Sequence, residues 1–124
     1  MCVVESLVMT ISFFSVQVRL VGCSRANKGY VESCGSNGVW GGICVNEWGI
    51  NDVDVVCHML GYPSATAYFK GQLTFGQAPP GSRFVLDNLH CIQTESYVFD
   101  GQGNSEWNHN CSASEIADVK CKLL

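Results

Sequence analysis

Three places in the sequence bring histidine next to cysteine, and these are the first residues to consider for chemistry. They are Cys57-His58, His90-Cys91 and His109-Asn110-Cys111. A cysteine nucleophile needs a base whose ring faces the sulfur, and residues adjacent in the chain generally point in different directions. The same residues lack the paired C-x2-C spacing typical of structural zinc sites. The pattern therefore indicates neither catalysis nor zinc binding, and we expect the chain not to be an enzyme.

The cysteine content points to a different use of sulfur. Eight of the 124 residues are cysteines, far above ordinary usage, whereas charged residues make up only 15% of the chain. This composition favours an oxidising compartment, outside the cell, in which disulfides carry part of the stability. The net charge of −4 and the absence of a basic cluster in the sequence argue against nucleic acid and against strong polyanion binding.

The first seventeen residues differ from the rest. Leu7 to Val16 (LVMTISFFSV) is an apolar or hydroxyl run of signal-peptide length that is too short to span a bilayer. No Lys or Arg precedes this run, and Glu5 does, so a strand retained in the fold is the alternative. We therefore divide the chain into residues 1–17, a signal peptide or N-terminal extension, and residues 18–124, a single secreted domain without a membrane span.

One short helix is predicted near the middle of the chain. Val53, Val56, Cys57 and Leu60 recur at i, i+3, i+4 and i+7, the spacing of a buried helical stripe. Asn51 is suited to the N-cap position. Because further apolar residues lie off this stripe, we expect other elements to surround the helix on more than one side.

Short strands are predicted on both sides of this helix. They span Val18–Gly22, Tyr30–Cys34, Val39–Cys44, Arg83–Cys91, Ser96–Phe99 and Ala117–Leu123. Residues 64–82 are predicted to form a long connection with at most one short strand. The residues thus indicate an α+β domain stapled by cysteines.

Four motifs in this order give the chain a family resemblance. WGGIC, HMLGY, VLDNLHC and NHNC, with flanking matches from Val18 to Cys121, make the sequence resemble the scavenger receptor cysteine-rich (SRCR) domain. Tyr62 stands where the eight-cysteine subgroup has a further cysteine, so the six-cysteine group A is the nearer match. The resemblance implies a curved antiparallel sheet of about six short strands that cradles one main helix.

The resemblance also implies how some of the cysteines pair. Two long-range disulfides are implied, Cys44–Cys111 and Cys57–Cys121. The family's third bridge would join Cys91 to a residue in the region 99–101, where this sequence reads FDG. Cys34 or Cys23 is the alternative partner, and the pairing of Cys2 also stays open.

Calcium is the metal that the resemblance suggests. Related domains hold a divalent cation with two aspartates just after the WG-x2-C cysteine and a glutamate after HNC. Val45 and Asn46 stand at the aspartate positions here, whereas Glu115 keeps the glutamate. The loss of two charges predicts a weakened calcium site, the alternative being solvated acids and turn-capping amides. The candidate ligands are Asn46, Glu47, Asp87, Asn110 and Glu115.

The tryptophans divide between core and surface. Trp40 and Trp48 are predicted to lie in the core because of their size and position. Trp107, in the polar stretch GNSEWNHN, is predicted to be exposed and, with Asn88, to contact a ligand.

Together these observations predict an extracellular, non-catalytic module that binds a protein or glycan ligand, as the resemblance implies for innate defence and adhesion. A structural protein that forms homo-oligomers through a leftover cysteine or the apolar N-terminal segment is the alternative. An accessory domain of a larger receptor or protease is a third possibility.

Overall fold

The computed structural model describes residues 18–23, 25–70, 79, 81–95, 97–98 and 101–123. The predictions for residues 1–17, including the pairing of Cys2, lie outside the described residues, as do the two ends of the predicted strand Ser96–Phe99. Within the described ranges, no helix has the length and apolar character needed to cross a membrane.

In the part of the chain that the structure describes, six strands form one sheet around a single α-helix. In chain order the elements are β1 Val18–Val21, β2 Lys28–Cys34, β3 Trp40–Ile43, α1 Ile50–Met59, β4 Ala65–Lys70, β5 Phe84–Leu86 and β6 Ala117–Cys121. The strand order is β4-β6-β2-β3-β5, and β1 also pairs with β2. This arrangement confirms the predicted α+β fold of six short strands with one main helix.

The sheet differs from the prediction at β5. This strand runs parallel to β3, whereas the prediction was an antiparallel sheet, because the chain passes through α1 and β4 before it returns beside β3. The strand is also shorter than the predicted Arg83–Cys91. Asp87 ends it by accepting a 2.8 Å hydrogen bond from the backbone N–H of Asn88, which has a φ of 56°. A left-handed residue cannot continue an extended strand, and asparagine tolerates that conformation.

The helix begins earlier than the sequence indicated. Gly49, and not Asn51, is the N-cap, and the carboxylate of Asp52 accepts a 2.9 Å hydrogen bond from the Gly49 N–H. The same carboxylate accepts a 2.7 Å bond from the N–H of Cys91. Asp52 therefore closes the helix N-terminus and fixes a distant loop at once, which the expected Asn51 cap could not do.

The helix is buried on more than one side, as predicted. Val53, Val55, Val56 and Cys57 are all completely buried, and they pack with Trp48, which is 0% exposed. Side chains from β1, β2, β3, β5 and β6 complete this cluster. The sheet thus surrounds the helix and leaves no wide apolar face of it exposed.

Two long-range disulfides fasten this core, and they are the two that the resemblance implies. Cys57–Cys121 joins α1 to β6 with a Cα separation of 5.6 Å. Cys44–Cys111 joins the end of β3 to the last loop, with a Cα separation of 6.3 Å. The paired residues are 64 and 67 positions apart, so the chain-entropy model gives about 4 kcal/mol for each bridge.

The suggested bonds from Cys91 to Cys34 or Cys23 are wrong. Cys34 is disulfide-bonded, whereas Cys91 and Cys23 carry thiols. The side chain of Cys91 hydrogen-bonds to Asp52. Its sulfur faces Gly101, where an added Cβ would lie 2.8 Å away, so the sulfur points into the region where the resemblance places the partner.

Asp52 should make stability depend on pH. Burial raises the pKa of its carboxyl above the ordinary 3.8, and the hydrogen bonds from Cys91 and Gly49 oppose part of that rise. The native state therefore binds the Asp52 proton more tightly than the unfolded state does. As pH rises from about 3.8 through the raised native pKa, ionisation of Asp52 lowers the free energy of unfolding. The asparagine of the Asp52→Asn variant cannot ionise, so this variant should not show that decrease. The measurement is the free energy of unfolding by urea between about pH 3 and pH 7.

The exposed acid Glu47 provides the control for this experiment. Glu47→Gln should keep the wild-type pH dependence, and an Asp52→Asn profile that matches wild type would contradict the role given to Asp52. Asp52→Ala should in addition lose about 1–3 kcal/mol in the free energy of unfolding, because the buried N–H of Cys91 and the half-buried N–H of Gly49 lose their acceptor.

A cysteine introduced at position 101 should form a new disulfide with Cys91. The 2.8 Å between the Cys91 sulfur and a Cβ on Gly101 is close to the separation of about 3 Å that a disulfide with a 2.05 Å S–S bond requires. Mass spectrometry of unreduced Gly101→Cys protein should find the peptide that contains Cys91 linked to the peptide that contains position 101. The midpoint of urea unfolding should rise in this variant and fall back when the new bond is reduced. A protein in which both thiols still react with iodoacetamide would show that the geometry is wrong.

Candidate functional site

A polar cleft of about 360 Å³ opens where three loops meet. These loops follow β3, follow β5, and precede β6. The cleft is lined by Asn46, Asp87, Asn88, Asn104, Asn108, His109 and Asn110. Five of these seven residues are asparagines, one is an acid, and none is an aliphatic residue, a lysine or an arginine. Side-chain amides therefore dominate the surface that a ligand would meet.

Bonds between residues that are far apart in the sequence bring the three loops together. The Cys44–Cys111 bridge holds the last loop against the end of β3. The backbone of that loop then follows β5, because the N–H of Trp107 donates to the Val85 carbonyl at 3.0 Å. The N–H of Asn104 likewise donates to the carbonyl of Asp87 at 3.0 Å. The asparagines of this loop are thus placed beside Asp87 by backbone bonds.

Asp87 is the hydrogen-bonding centre of the cleft. Its side chain is only 3% exposed, and its Oδ1 accepts from the Asn46 Nδ2 at 3.1 Å and from the Asn88 N–H at 2.8 Å. Asn88 Nδ2 donates to Asn104 Oδ1 at 3.3 Å, and Asn104 Nδ2 donates to the Asn108 carbonyl at 3.1 Å. The side chains of Asn46, Asn88 and Asn104 are therefore held by hydrogen bonds before any ligand arrives.

His109 forms a fixed wall of the cleft. Its Nδ1 lies 2.9 Å from the backbone nitrogen of Cys111, and its Nε2 lies 3.2 Å from that of Phe84. A neutral imidazole accepts at only one nitrogen, so we assign the shorter contact as the hydrogen bond and place the ring proton on Nε2. The ring also packs edge-on against Phe84, with centroids 5.1 Å apart.

Three of the five candidate calcium ligands line this cleft, namely Asn46, Asp87 and Asn110. Glu47 is exposed and does not line it. Glu115 uses its carboxylate to accept from the Ser112 N–H at 2.8 Å, which caps the short 3-10 turn Ala113–Glu115. The three acids that were proposed as calcium ligands therefore do not share one site. Asp87 lines the cleft, Glu47 is exposed, and Glu115 caps a turn.

The residues present fit a calcium ion poorly. Within the described ranges, the one cluster of acidic, cysteine and histidine ligand atoms consists of Asp87 with Cys44 and Cys111. The two sulfurs of this cluster are joined in a disulfide and offer no thiolate. Calcium takes six to eight oxygen ligands, preferably with several carboxylates among them, and Asp87 is the one carboxylate in the lining.

The tryptophans follow the predictions only in part. Trp48 lies in the core as predicted, and its Nε1 points to the Asp118 carbonyl at 3.4 Å. Trp40 was expected in the core but is half-buried, with the Arg19 guanidinium 4.1 Å above its ring.

Trp107 was predicted to be exposed, but it is half-buried and does not line the cleft. The bare backbone of Gly35 and Gly41 makes room for its ring, because an added Cβ on Gly41 would lie 2.7 Å from the ring carbon Cζ3. Trp107 thus fixes the last loop to the sheet, and the two glycines provide the space.

The sequence interpretation missed three residues that line the cleft, Asn104, Asn108 and His109. The signal was present in the stretch NSEWNHN, which holds three asparagines within seven residues. Such a density of amides in a loop beside a bridged cysteine would have pointed to the same surface.

Comparison with known proteins gives consistent matches across nearly the whole chain. The model of the scavenger receptor cysteine-rich domain family matches residues 21–122. Macrophage receptor MARCO of Mus musculus is 36% identical over 105 residues, which cover 85% of this chain and 18% of that protein. Galectin-3-binding protein of Bos taurus is 35% identical over 104 residues, covering 84% of this chain and 18% of that protein. The chain thus spans less than a fifth of either relative.

Solved structures agree with these matches. The SRCR domain of mouse MARCO, crystallised in a dimeric form, has a TM-score of 0.67 at 36% identity, over 77% of this chain and 87% of that one. The third SRCR domain of murine neurotrypsin has a TM-score of 0.72 at 32% identity, over 86% of this chain and 96% of that one.

Proposed function

Since the chain belongs to the scavenger receptor cysteine-rich family, we propose that it is a non-catalytic extracellular module that binds a protein or glycan ligand through the asparagine-lined cleft. The observation that carries this proposal is the cleft itself, a concave surface whose polar groups are positioned in advance. Concave sites with a few convergent polar groups are the usual places for ligand recognition.

The histidine and cysteine contacts support a non-catalytic role. Cys57 is in a disulfide, and its neighbour His58 places Nε2 2.7 Å from the Pro63 carbonyl. Cys111 is also in a disulfide, and His109 bonds to its backbone nitrogen, not to a sulfur. Neither pair therefore supplies a thiolate with an adjacent base, which a cysteine nucleophile requires.

The extracellular setting is supported by the two disulfides that close long loops. The relatives are a macrophage receptor and a galectin-3-binding protein. We extend these to a role for this chain in host defence or adhesion. We also propose that calcium contributes weakly, because Asp87 already has two hydrogen-bond donors and the neighbouring groups are neutral amides.

Ligand binding should depend on the cleft. Galectin-3 and an array of cell-surface glycans are suitable probes, measured in calcium and in EDTA. Asn110→Lys places a long cation at the mouth of the cleft and should weaken binding by about tenfold or more, since central contacts dominate interface energies. Asn51→Lys, on α1 outside the lining, should stay within about twofold of wild type.

Binding in EDTA should stay within about twofold of binding in calcium, because the cleft has a single carboxylate in its lining. Wild-type affinity of Asn110→Lys for every probe that binds would show that the ligand surface lies elsewhere. Binding that requires calcium would contradict the weak contribution proposed for the ion.

Cys23 favours a second candidate function, assembly through an intermolecular disulfide. Its thiol is half-exposed and lies just after β1. Assembly through the apolar N-terminal segment is the other form of this hypothesis. It involves residues 1–17, which lie outside the described ranges.

Electrophoresis tests this second candidate. Without reducing agent, the assembly hypothesis predicts a dimer band that disappears on reduction and in Cys23→Ser. The control is Cys91→Ser, which alters a thiol that is only 2% exposed and should keep the dimer band. A monomer under both conditions would remove the disulfide-linked version.

A further inference from the structure

We propose that the asparagine-lined cleft binds an uncharged carbohydrate and does so without calcium. This inference rests on the proposed function, because it concerns the same surface, and it specifies the chemical class of the ligand. It follows from the charge of the cleft, from the hydrogen-bonding groups that stay available in it, and from the absence of apolar side chains in its lining.

The charge of the residues that line the cleft argues against an ionic ligand. Among the described residues, the lining contains no lysine or arginine, so a sulfate, phosphate or carboxylate group would meet no cationic partner there. The single acid, Asp87, is 3% exposed and already receives two N–H donors, so a cation would have to replace existing bonds. A neutral ligand is therefore the class that this cleft accommodates with the least electrostatic cost.

The amides offer what sugar hydroxyls need. An asparagine side chain provides two N–H donors and a carbonyl acceptor, and a hydroxyl both donates and accepts. Within the described residues, the side chains of Asn108 and Asn110 make no hydrogen bond, and Oδ1 of Asn46 and of Asn88 accepts none. Donors and acceptors are thus both available, on side chains from all three loops.

The lining argues against a peptide as the main ligand. Protein interfaces depend on a buried apolar or aromatic centre, and in the part of the chain that the structure describes the one ring that lines this cleft is the imidazole of His109. The volume of about 360 Å³ lies at the lower end of the range for small-ligand sites and suits one or two sugar rings. Without a tryptophan or tyrosine in the lining to stack on a sugar face, affinity for one such unit should be modest, with a Kd of about a millimolar.

Part of the cleft is already ordered before a neutral ligand binds, and this order lowers the entropy cost of binding. Hydrogen bonds among Asp87, Asn46, Asn88 and Asn104 fix the amide groups, so little side-chain entropy is lost when a ligand binds. The Cys44–Cys111 bridge fixes the loops that carry them.

The test begins with a glycan array probed in EDTA with the protein displayed in many copies on beads, so that millimolar contacts add up to retention. Neutral, sialylated and sulfated glycans are present on the array at equal density. We expect retention on neutral glycans that is unchanged by calcium. A neutral oligosaccharide retained on the array is then titrated into 15N-labelled protein. The side-chain amide signals of Asn46, Asn108 and Asn110 should shift with one common Kd.

Two alanine variants test the assignment of residues. Asn108→Ala and Asn110→Ala should each weaken binding of that oligosaccharide about fivefold, as expected for the loss of one or two hydrogen bonds. Both side chains are exposed and make no hydrogen bond to another described residue, so the variants should remain folded. The matched control, Asn51→Ala on α1, should bind within about twofold of wild type.

Three results would overturn the inference: no retention on any neutral glycan, retention that needs calcium, or retention only on sialylated or sulfated glycans. A protein probe such as galectin-3 separates these results from failure of the proposed function. If galectin-3 binds and Asn110→Lys abolishes its binding while neutral glycans are not retained, the cleft is a ligand site of another class. If every probe that binds, including neutral glycans, ignores Asn110→Lys, the proposed function fails as well.

Discussion

The disulfide between Cys44 and Cys111 is the constraint on which the candidate site depends. It joins the end of β3 to a loop 67 residues later, and hydrogen bonds along β5 then fix the rest of that loop. Without the bridge, the loop that carries Asn104, Asn108 and Asn110 would be held by a few backbone bonds at the sheet edge, and such segments open at low cost in free energy. The same bond thus contributes to stability and places the cleft.

Two buried acids give the helix a comparable role on the other side of the molecule. Asp52 accepts from the backbone of Cys91, and Asp54 accepts from the N–H of Ala65 at 2.9 Å and from the side chain of Gln93. These carboxylates satisfy the backbone N–H groups of Cys91, in the loop after β5, and of Ala65, the first residue of β4. The helix therefore organises the fold through its polar residues as well as through its apolar stripe.

The sequence predicted the elements whose pattern is local. The stripe at Val53, Val56, Cys57 and Leu60 identified the helix, and short runs bounded by turn residues between 18 and 44 identified the first three strands. What it did not predict depends on contacts between distant residues. The cap at Gly49 forms because Asp52 must also reach Cys91, and no local cap preference contains that information.

The candidate site shows the same limit. Asp87 and the asparagines at 46, 88 and 110 were identified singly, from motifs that resemble a metal-binding family. Their assembly around one cleft, and the placement of Glu47 and Glu115 outside its lining, depends on loop paths fixed by the disulfide and by β5. Trp107 was misplaced because the space that receives its ring is created by Gly35 and Gly41, about seventy residues earlier.

An amide at position 46, where the resemblance implies a carboxylate, is the feature that gives the cleft its own chemistry. A carboxylate at that position would repel the carboxylate of Asp87 unless a cation lay between them. Asn46 instead donates to Asp87 at 3.1 Å, so Asp87 has a hydrogen-bond partner without a cation. What stays available is a set of neutral donors and acceptors, and a ligand must match those groups, not a bound ion.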